Sequence, residues 1–146
     1  MEKVISRFEG EYEFLSNFAR CNVVYDRNIY PTVEHAYQAA KSLDESIQKS
    51  FTTLSTPGKA KKLGRQIQLR SDWEQVKDNV MKDLLKQKFS HEPFKSQLLA
   101  TGNTKLVEGN TWNDTYWGIC NGKGLNMLGT LLMEVRRELI EEISNL

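Results

Sequence analysis

The chain has 146 residues, 39% hydrophobic and 27% charged, with a formal net charge of +1. That balance describes one soluble globular domain that buries about two-thirds of its unfolded surface, and the near-neutral charge removes any strong overall pull toward nucleic acid. No run approaches the roughly 18 apolar residues of a membrane span, so a membrane-spanning role is excluded from the expectation.

Taken from the start, residues 4–8 read as a strand. Glu13-Phe14-Leu15-Ser16-Asn17-Phe18 is an irregular aromatic segment, with Phe14, Leu15 and Phe18 expected in the core. Asn17 has no apolar reason to be there, so it either hydrogen-bonds locally or faces a ligand. Residues 21–25 and 28–30 suit a hairpin turned by Asp26-Arg27. Thr32 is the expected N-cap of a helix running to about residue 43, and Asp44 caps a second to about residue 54. Pro57 takes the favoured first position of a third.

Ser71-Asp-Trp-Glu74 has the form of a capping box, opening a helix to about residue 89 with Val76, Val80, Leu84 and Leu85 as its buried stripe. A shorter helix covers 93–100, with Gly102 suited to its C′ position, and 105–108 is extended. The last helix begins near Gly124, with an apolar stripe of Leu128, Leu131, Leu132, Val135 and Leu139, and 136–142 mainly on the surface. The class is α+β, mostly helical, with a few short N-terminal strands.

Two stretches carry candidate chemistry. In Tyr30-Pro-Thr-Val-Glu-His-Ala-Tyr-Gln-Ala-Ala-Lys41, Val33, Ala36, Tyr37 and Ala40 share one helical face, and Glu34, Gln38 and Lys41 fall on its border. Partly dry Glu and Lys are the ones whose pKa values move, although such an edge is most often just solvated. The second stretch, 106–129, holds Trp112, Tyr116 and Trp117 beside Glu108, Asn113 and Asp114. Its aromatic rings suit either core packing or stacking on a planar base.

Gly118-Ile-Cys-Asn-Gly122-Lys123-Gly124 matches neither a Walker A loop nor the dinucleotide spacing. Two alternatives remain for it: backbone N–H groups at a helix start that hold an anion, or a tight turn where the chain packs closely on itself. Between Pro57 and Ser71 lie Lys59, Lys61, Lys62, Arg65 and Arg70 without an acid, either a solvated face or a phosphate-binding patch. His35, His91, Cys21 and Cys120 lack the close pair spacing of a zinc site, so no metal or other cofactor is expected. A Cys120–His35 nucleophile pair has no local support. With two distant cysteines and no export signal, the expectation is reduced thiols in a cytoplasm.

Several motifs together resemble a known family. They are Phe14-Leu-Ser-Asn-Phe18, the 30–41 segment, Leu63-Gly-Arg65, Asp72-Trp73, Lys105-Leu-Val-Glu108, Asp114-Thr-Tyr-Trp-Gly118 and Gly122-Lys-Gly-Leu-Asn-Met-Leu-Gly-Thr-Leu-Leu-Met-Glu-Val-Arg136, in order along nearly the whole chain. The chain is similar to the NADAR, or YbiA-like, family throughout, which implies a single α+β domain over 1–146 and N-glycosidase activity at a ribose C1–N bond. One departure is Ile119-Cys120-Asn121, where relatives often have a more glycine-rich stretch with an acid.

For this family the expected substrates are ADP-ribosylated guanine in DNA, slightly preferred, or a pyrimidine ribosylamine phosphate from early riboflavin synthesis. A non-catalytic ADP-ribose-binding module is the third possibility, and no obligate protein partner is expected. The expected catalytic residues are Lys41 as an imine-forming nucleophile, Glu34 as general acid and base, and Asp114 as a second carboxylate. A direct-water route, with Lys41 only pairing charge, is the mechanistic rival. Trp117 would stack on the base and Asn17 and Gln38 read polar edges, while Arg65 and the Gly122 to Gly124 loop hold phosphate. Phe18, Glu108, Gly118 and Asn126 complete the expected substrate-binding set.

Overall fold

In a computed structural model that describes residues 2–146, the elements follow in chain order. They are β1 (Val4–Ile5), a 3-10 helix (Gly10–Leu15), β2 (Arg20–Tyr25), β3 (Asn28–Thr32), α1 (Val33–Ala39), α2 (Glu45–Phe51), α3 (Pro57–Gly64), α4 (Trp73–Lys88), α5 (Phe94–Ala100), β4 (Lys105–Leu106) and α6 (Met127–Ser144). The class is α+β and mostly helical. By packing, the chain divides into one unit of Asn17–Lys88 and another of Met1–Ser16 with Phe89–Leu146.

In the 17–88 unit, β2 and β3 form an antiparallel hairpin with a register shift between Arg20 and Val23. Asp26 and Arg27 turn it with positive φ at both positions, 47° and 74°, the backbone twist that two-residue hairpin turns favour. Cys21 and Val23 point inward and Asn22 and Val24 outward, the two-residue alternation of a half-buried strand. Phe18 lies outside the core after all, 43% exposed, while Leu15 is fully buried in the other unit and Phe14 half-buried.

α1 is the hub of this unit. It packs against β2, β3, α2, α3 and α4, and all seven of its residues are buried. A helix covered on every side has no polar border, so Glu34 and Gln38, expected at an edge, are interior. Thr32 caps it as expected, its Oγ1 accepting from the His35 N–H at 3.0 Å. The helix stops at Ala39, four residues early: Lys41 N–H and Ser42 N–H bond the carbonyls three residues back, tightening the last turn.

His35 shows how the cap is locked. Its Nε2 lies 3.0 Å from the Leu54 carbonyl, which can only accept, so Nε2 carries the proton and Nδ1 accepts from the Thr32 hydroxyl at 2.7 Å. Burial holds its pKa below the usual 6.5, against the opposing pull of the Leu54 carbonyl. The folded state therefore resists a proton that the unfolded chain accepts. Stability is flat above about pH 6.5 and declines as pH falls from there toward the depressed folded value. Urea unfolding at pH 7.5 and 5.5 is expected to show the lower midpoint at 5.5. A His35→Gln variant should lose that part of the slope.

Asp44 caps α2 as expected, and Pro57 takes its expected place in the first turn of α3, behind a Thr56 cap. Asp44 Oδ1 accepts from Ser46 and Ile47 N–H, and Thr56 Oγ1 accepts from Lys59 N–H ahead of Pro57 in the first turn. The capping box does not hold. α4 starts at Trp73, leaving Asp72 rather than Ser71 at its entry, and the Asp72 carboxylate is clamped in two bonds by Arg70 Nε and Nη2. Val80, Met81, Leu84 and Leu85 form the buried stripe, with Val76 only half-buried.

In the other unit, β1 and β4 are a parallel pair of two residues each, Val4 opposite Lys105 and Ile5 opposite Leu106, shorter than expected for both. The aromatic segment begins there as the 3-10 helix. α5 ends as predicted at Gly102, with φ +61°. α6 begins at Met127, three residues late, and its five-residue apolar stripe is entirely buried. Arg136 is not on the surface: its Nη1 donates to Thr101 Oγ1 at 2.9 Å and to the Thr104 carbonyl at 2.7 Å, just beyond α5.

Candidate functional site

The interior of α1 carries the first cluster. Glu34 is 8% and Gln38 5% exposed, one turn apart, and Gln38 Nε2 donates to Glu34 Oε1 at 2.8 Å. Gln38 Oε1 has no hydrogen-bond donor and is pressed against Gly64 of α3, where a Cβ would collide with it. The amide is therefore engaged inside the unit and not turned toward a ligand. An unsatisfied buried acceptor of this kind costs about 1–3 kcal/mol.

Lys41 follows at the loosened end of α1. Its Nζ lies 5.7 Å from the Tyr37 ring centre, and Tyr37 in turn packs on Trp73 at 5.2 Å. Burial pushes the Lys41 pKa below its ordinary 10.5; the Glu34 carboxylate pulls it back up, and Arg65, Lys61 and Lys77 push it down. That set of causes places Glu34 and three cations from α3 and α4 within electrostatic reach of one amine. Arg65 sits exposed at the C-terminus of α3. Asn17 stands at the entrance to α1: its carbonyl accepts from Glu34 N–H at 3.1 Å, its Nδ2 reaches Met81 Sδ at 3.5 Å, and its buried Oδ1 has no partner.

The second cluster is the 106–129 segment of the other unit, and its organiser is Asn110, which sequence reasoning passed over. Asn110 Nδ2 donates to Glu108 Oε2 at 3.0 Å and to the Asp114 carbonyl at 2.9 Å, while its Oδ1 accepts from Trp112 and Asp114 N–H. Asp114 Oδ1 then accepts from Tyr116 and Trp117 N–H at 3.1 and 2.9 Å, and Trp117 meets Tyr116 edge-on at 4.9 Å. One side chain thus replaces the backbone ladder that an irregular loop lacks. Asn110→Ala is expected to cost about 2–3 kcal/mol in urea unfolding and to speed amide exchange at Trp112 and Asp114.

The glycines here serve close packing. A Cβ on Gly118 would strike Glu108 and Asn110, and Gly124, at φ +148°, lies against the Gly118 carbonyl. Asn121 and Gly122 (φ 53° and 75°) make a tight turn closed by reciprocal Cys120–Lys123 backbone bonds. The anion-cradle alternative fails at the helix start, since Leu125, Asn126, Met127 and Leu128 N–H already donate to the carbonyls of Thr115, Gly118, Tyr116 and Trp117. Asn126 accepts from Glu108 N–H and donates to the Leu106 carbonyl, so its amide ties β4 to α6.

Both thiols are free and buried. Cys120 is buried with Asn113 Oδ1 3.8 Å away, and burial raises the Cys21 thiol. Among the described residues, no three His, Cys, Asp or Glu are grouped to hold a metal, and no helix is long and apolar enough to cross a membrane. A cleft of about 600 Å³ between β1, the 3-10 helix and α5 contains none of the expected residues.

Comparison with known proteins adds to this geometry. The family model described as the NADAR domain matches residues 5–140. The N-glycosidase YbiA of Shigella flexneri serotype 5b is 46% identical over 136 residues, covering 90% of this chain and 84% of the relative. A riboflavin biosynthesis protein of Vibrio vulnificus is 37% identical over 97% of this chain, which spans 40% of that longer protein. The NMR structure of the Escherichia coli protein YbiA superposes with a TM-score of 0.84 at 42% identity, covering 97% of this chain and 88% of that one.

Proposed function

This chain belongs to the NADAR family and is a hydrolase of N-glycosidic bonds, and we propose that the bond it cleaves is the C1–N bond of a pyrimidine ribosylamine phosphate, with Lys41 as nucleophile and Glu34 as proton carrier. The observation that carries the mechanism is a half-buried amine at the end of α1, its pKa lowered by burial, within the field of the Glu34 carboxylate buried in the same helix. The naming of the Vibrio relative supports the substrate class.

The chemistry runs through one proton. Glu34 takes a proton from the Lys41 ammonium and delivers it to the leaving nitrogen, so one transfer activates the nucleophile and weakens the C1–N bond. As that bond breaks, Lys41 Nζ bonds to C1. Opening of the ribose ring gives a lysine imine. Water adds to C1, Glu34 receives its proton and passes it to the lysine nitrogen, and collapse to the aldehyde expels the amine, which takes up the hydroxyl proton. The net reaction consumes one water and yields free base and ribose phosphate.

A second reading, removal of ADP-ribose from guanine in DNA, is supported by the cations Lys61, Arg65 and Lys77 around Lys41 and by the other α3 lysines. A paired assay separates the two. Release of free base from the ribosylamine phosphate alone supports the first. Release of free ADP-ribose from modified DNA, with the guanine left in place and affinity falling steeply as salt rises, supports the second. Tight binding with no product from either would defeat both substrate assignments.

A further inference from the structure

The geometry points to Gln38 as a positioning residue, held by Gly64, that fixes the Glu34 carboxylate for proton transfer. This assignment rests on the reading of Glu34 above. Three observations converge on it. Gln38 Nε2 donates to Glu34 Oε1 at 2.8 Å, both side chains lie in the interior, and the amide oxygen is left without any donor. The reverse amide orientation would set that oxygen against a carboxylate oxygen, so the donor must face Glu34.

An apolar side chain would fill the same space without stranding an acceptor. The amide is thus retained where it is locally unfavourable, and what it supplies is a hydrogen bond to a carboxylate. Gly64 explains how it is held. With any larger residue there, a Cβ would overlap Gln38 Oε1 and Cδ, and the amide would have to swing away. The Leu63-Gly-Arg65 sequence therefore matters through its glycine, because it lets α3 approach α1 closely enough to pin that amide.

Gln38 thereby holds the Glu34 carboxyl in one orientation, with its other oxygen left to carry the lysine proton, and a donor to one oxygen favours the ionised form over the neutral one. The test uses the whole chain with 13C-labelled glutamate side chains. The Glu34 carboxyl is titrated by NMR in wild type, Gln38→Met and Gly64→Ala, alongside the pH profile of kcat/KM. In both variants the Glu34 midpoint is expected to rise by about one pH unit. The acidic limb of kcat/KM should move with it. Gln38→Asn, which withdraws the amide but keeps its polarity, serves if Gln38→Met does not fold. An unmoved Glu34 midpoint in a folded variant overturns the positioning role. Full activity in Glu34→Gln would instead overturn the catalytic reading, a result independent of the titration.

Discussion

Lys41→Ala is expected to lower kcat/KM by about ten-thousandfold or more, because the covalent route has no other amine at C1. Lys41→Arg should be no better, since a guanidinium keeps its proton and cannot attack. Borohydride added during turnover should reduce the imine and leave the ribose phosphate attached to Lys41, readable as a mass increase on the peptide that contains it. The pH profile follows from the same pair. In the proposed route the active form carries one proton shared by Lys41 and Glu34, so kcat/KM should be bell-shaped. Its alkaline limb should fall below 10.5, because burial, and then Arg65, Lys61 and Lys77, depress the amine despite Glu34. A wild-type enzyme that turns over in borohydride with no mass gained would leave the water route, with Lys41 pairing charge only.

Glu34→Gln is expected to reduce kcat by about a thousandfold, within the usual range for a lost acid–base group. Its effect on Lys41 runs the opposite way. Glu34 is the one charge that raises the lysine pKa, so without it the depressing influences act unopposed and Lys41 titrates lower still. The variant would have a more readily neutral amine and yet be slow, since the leaving nitrogen goes unprotonated. An N-glycoside whose leaving nitrogen is already cationic needs no such proton and should suffer much less. Equal penalties for both kinds of leaving group would rule out proton delivery by Glu34. Because the two residues act as a unit, the double variant with Lys41→Ala should be barely worse than Lys41→Ala alone.

Much of the fold could be read along the chain, wherever the governing interaction spans a turn or less. Thr32 and Asp44 cap the helices they precede, Pro57 sits in the first turn of α3, Asp26-Arg27 turns the hairpin, and the α6 stripe is buried residue for residue. The misses differ in range. Arg136 was placed outside because its partners Thr101 and Thr104 lie more than thirty positions away, whereas at the start of α4 the chain enters through Asp72, paired locally with Arg70, in place of Ser71. Asn110 carried a faint signal, a turn-forming residue between a glycine and a threonine, but nothing in that spacing announces five side-chain hydrogen bonds.

For the candidate site, helical spacing sufficed to pair Gln38 with Glu34, since side chains four apart on a helix are neighbours, while Lys41 lies beyond the end of α1. Tertiary packing decided what they are. Burial of α1 on every side turned a border into an interior, α3 and α4 brought three cations to Lys41, and the missing side chain of Gly64 left room for the Gln38 amide that bonds Glu34. It also used the first amides of α6 to bind the 115–118 carbonyls, where the chain alone had left an anion site open. Desolvation and charge depend on every neighbour within several ångströms, and those neighbours are set by how elements distant in sequence pack.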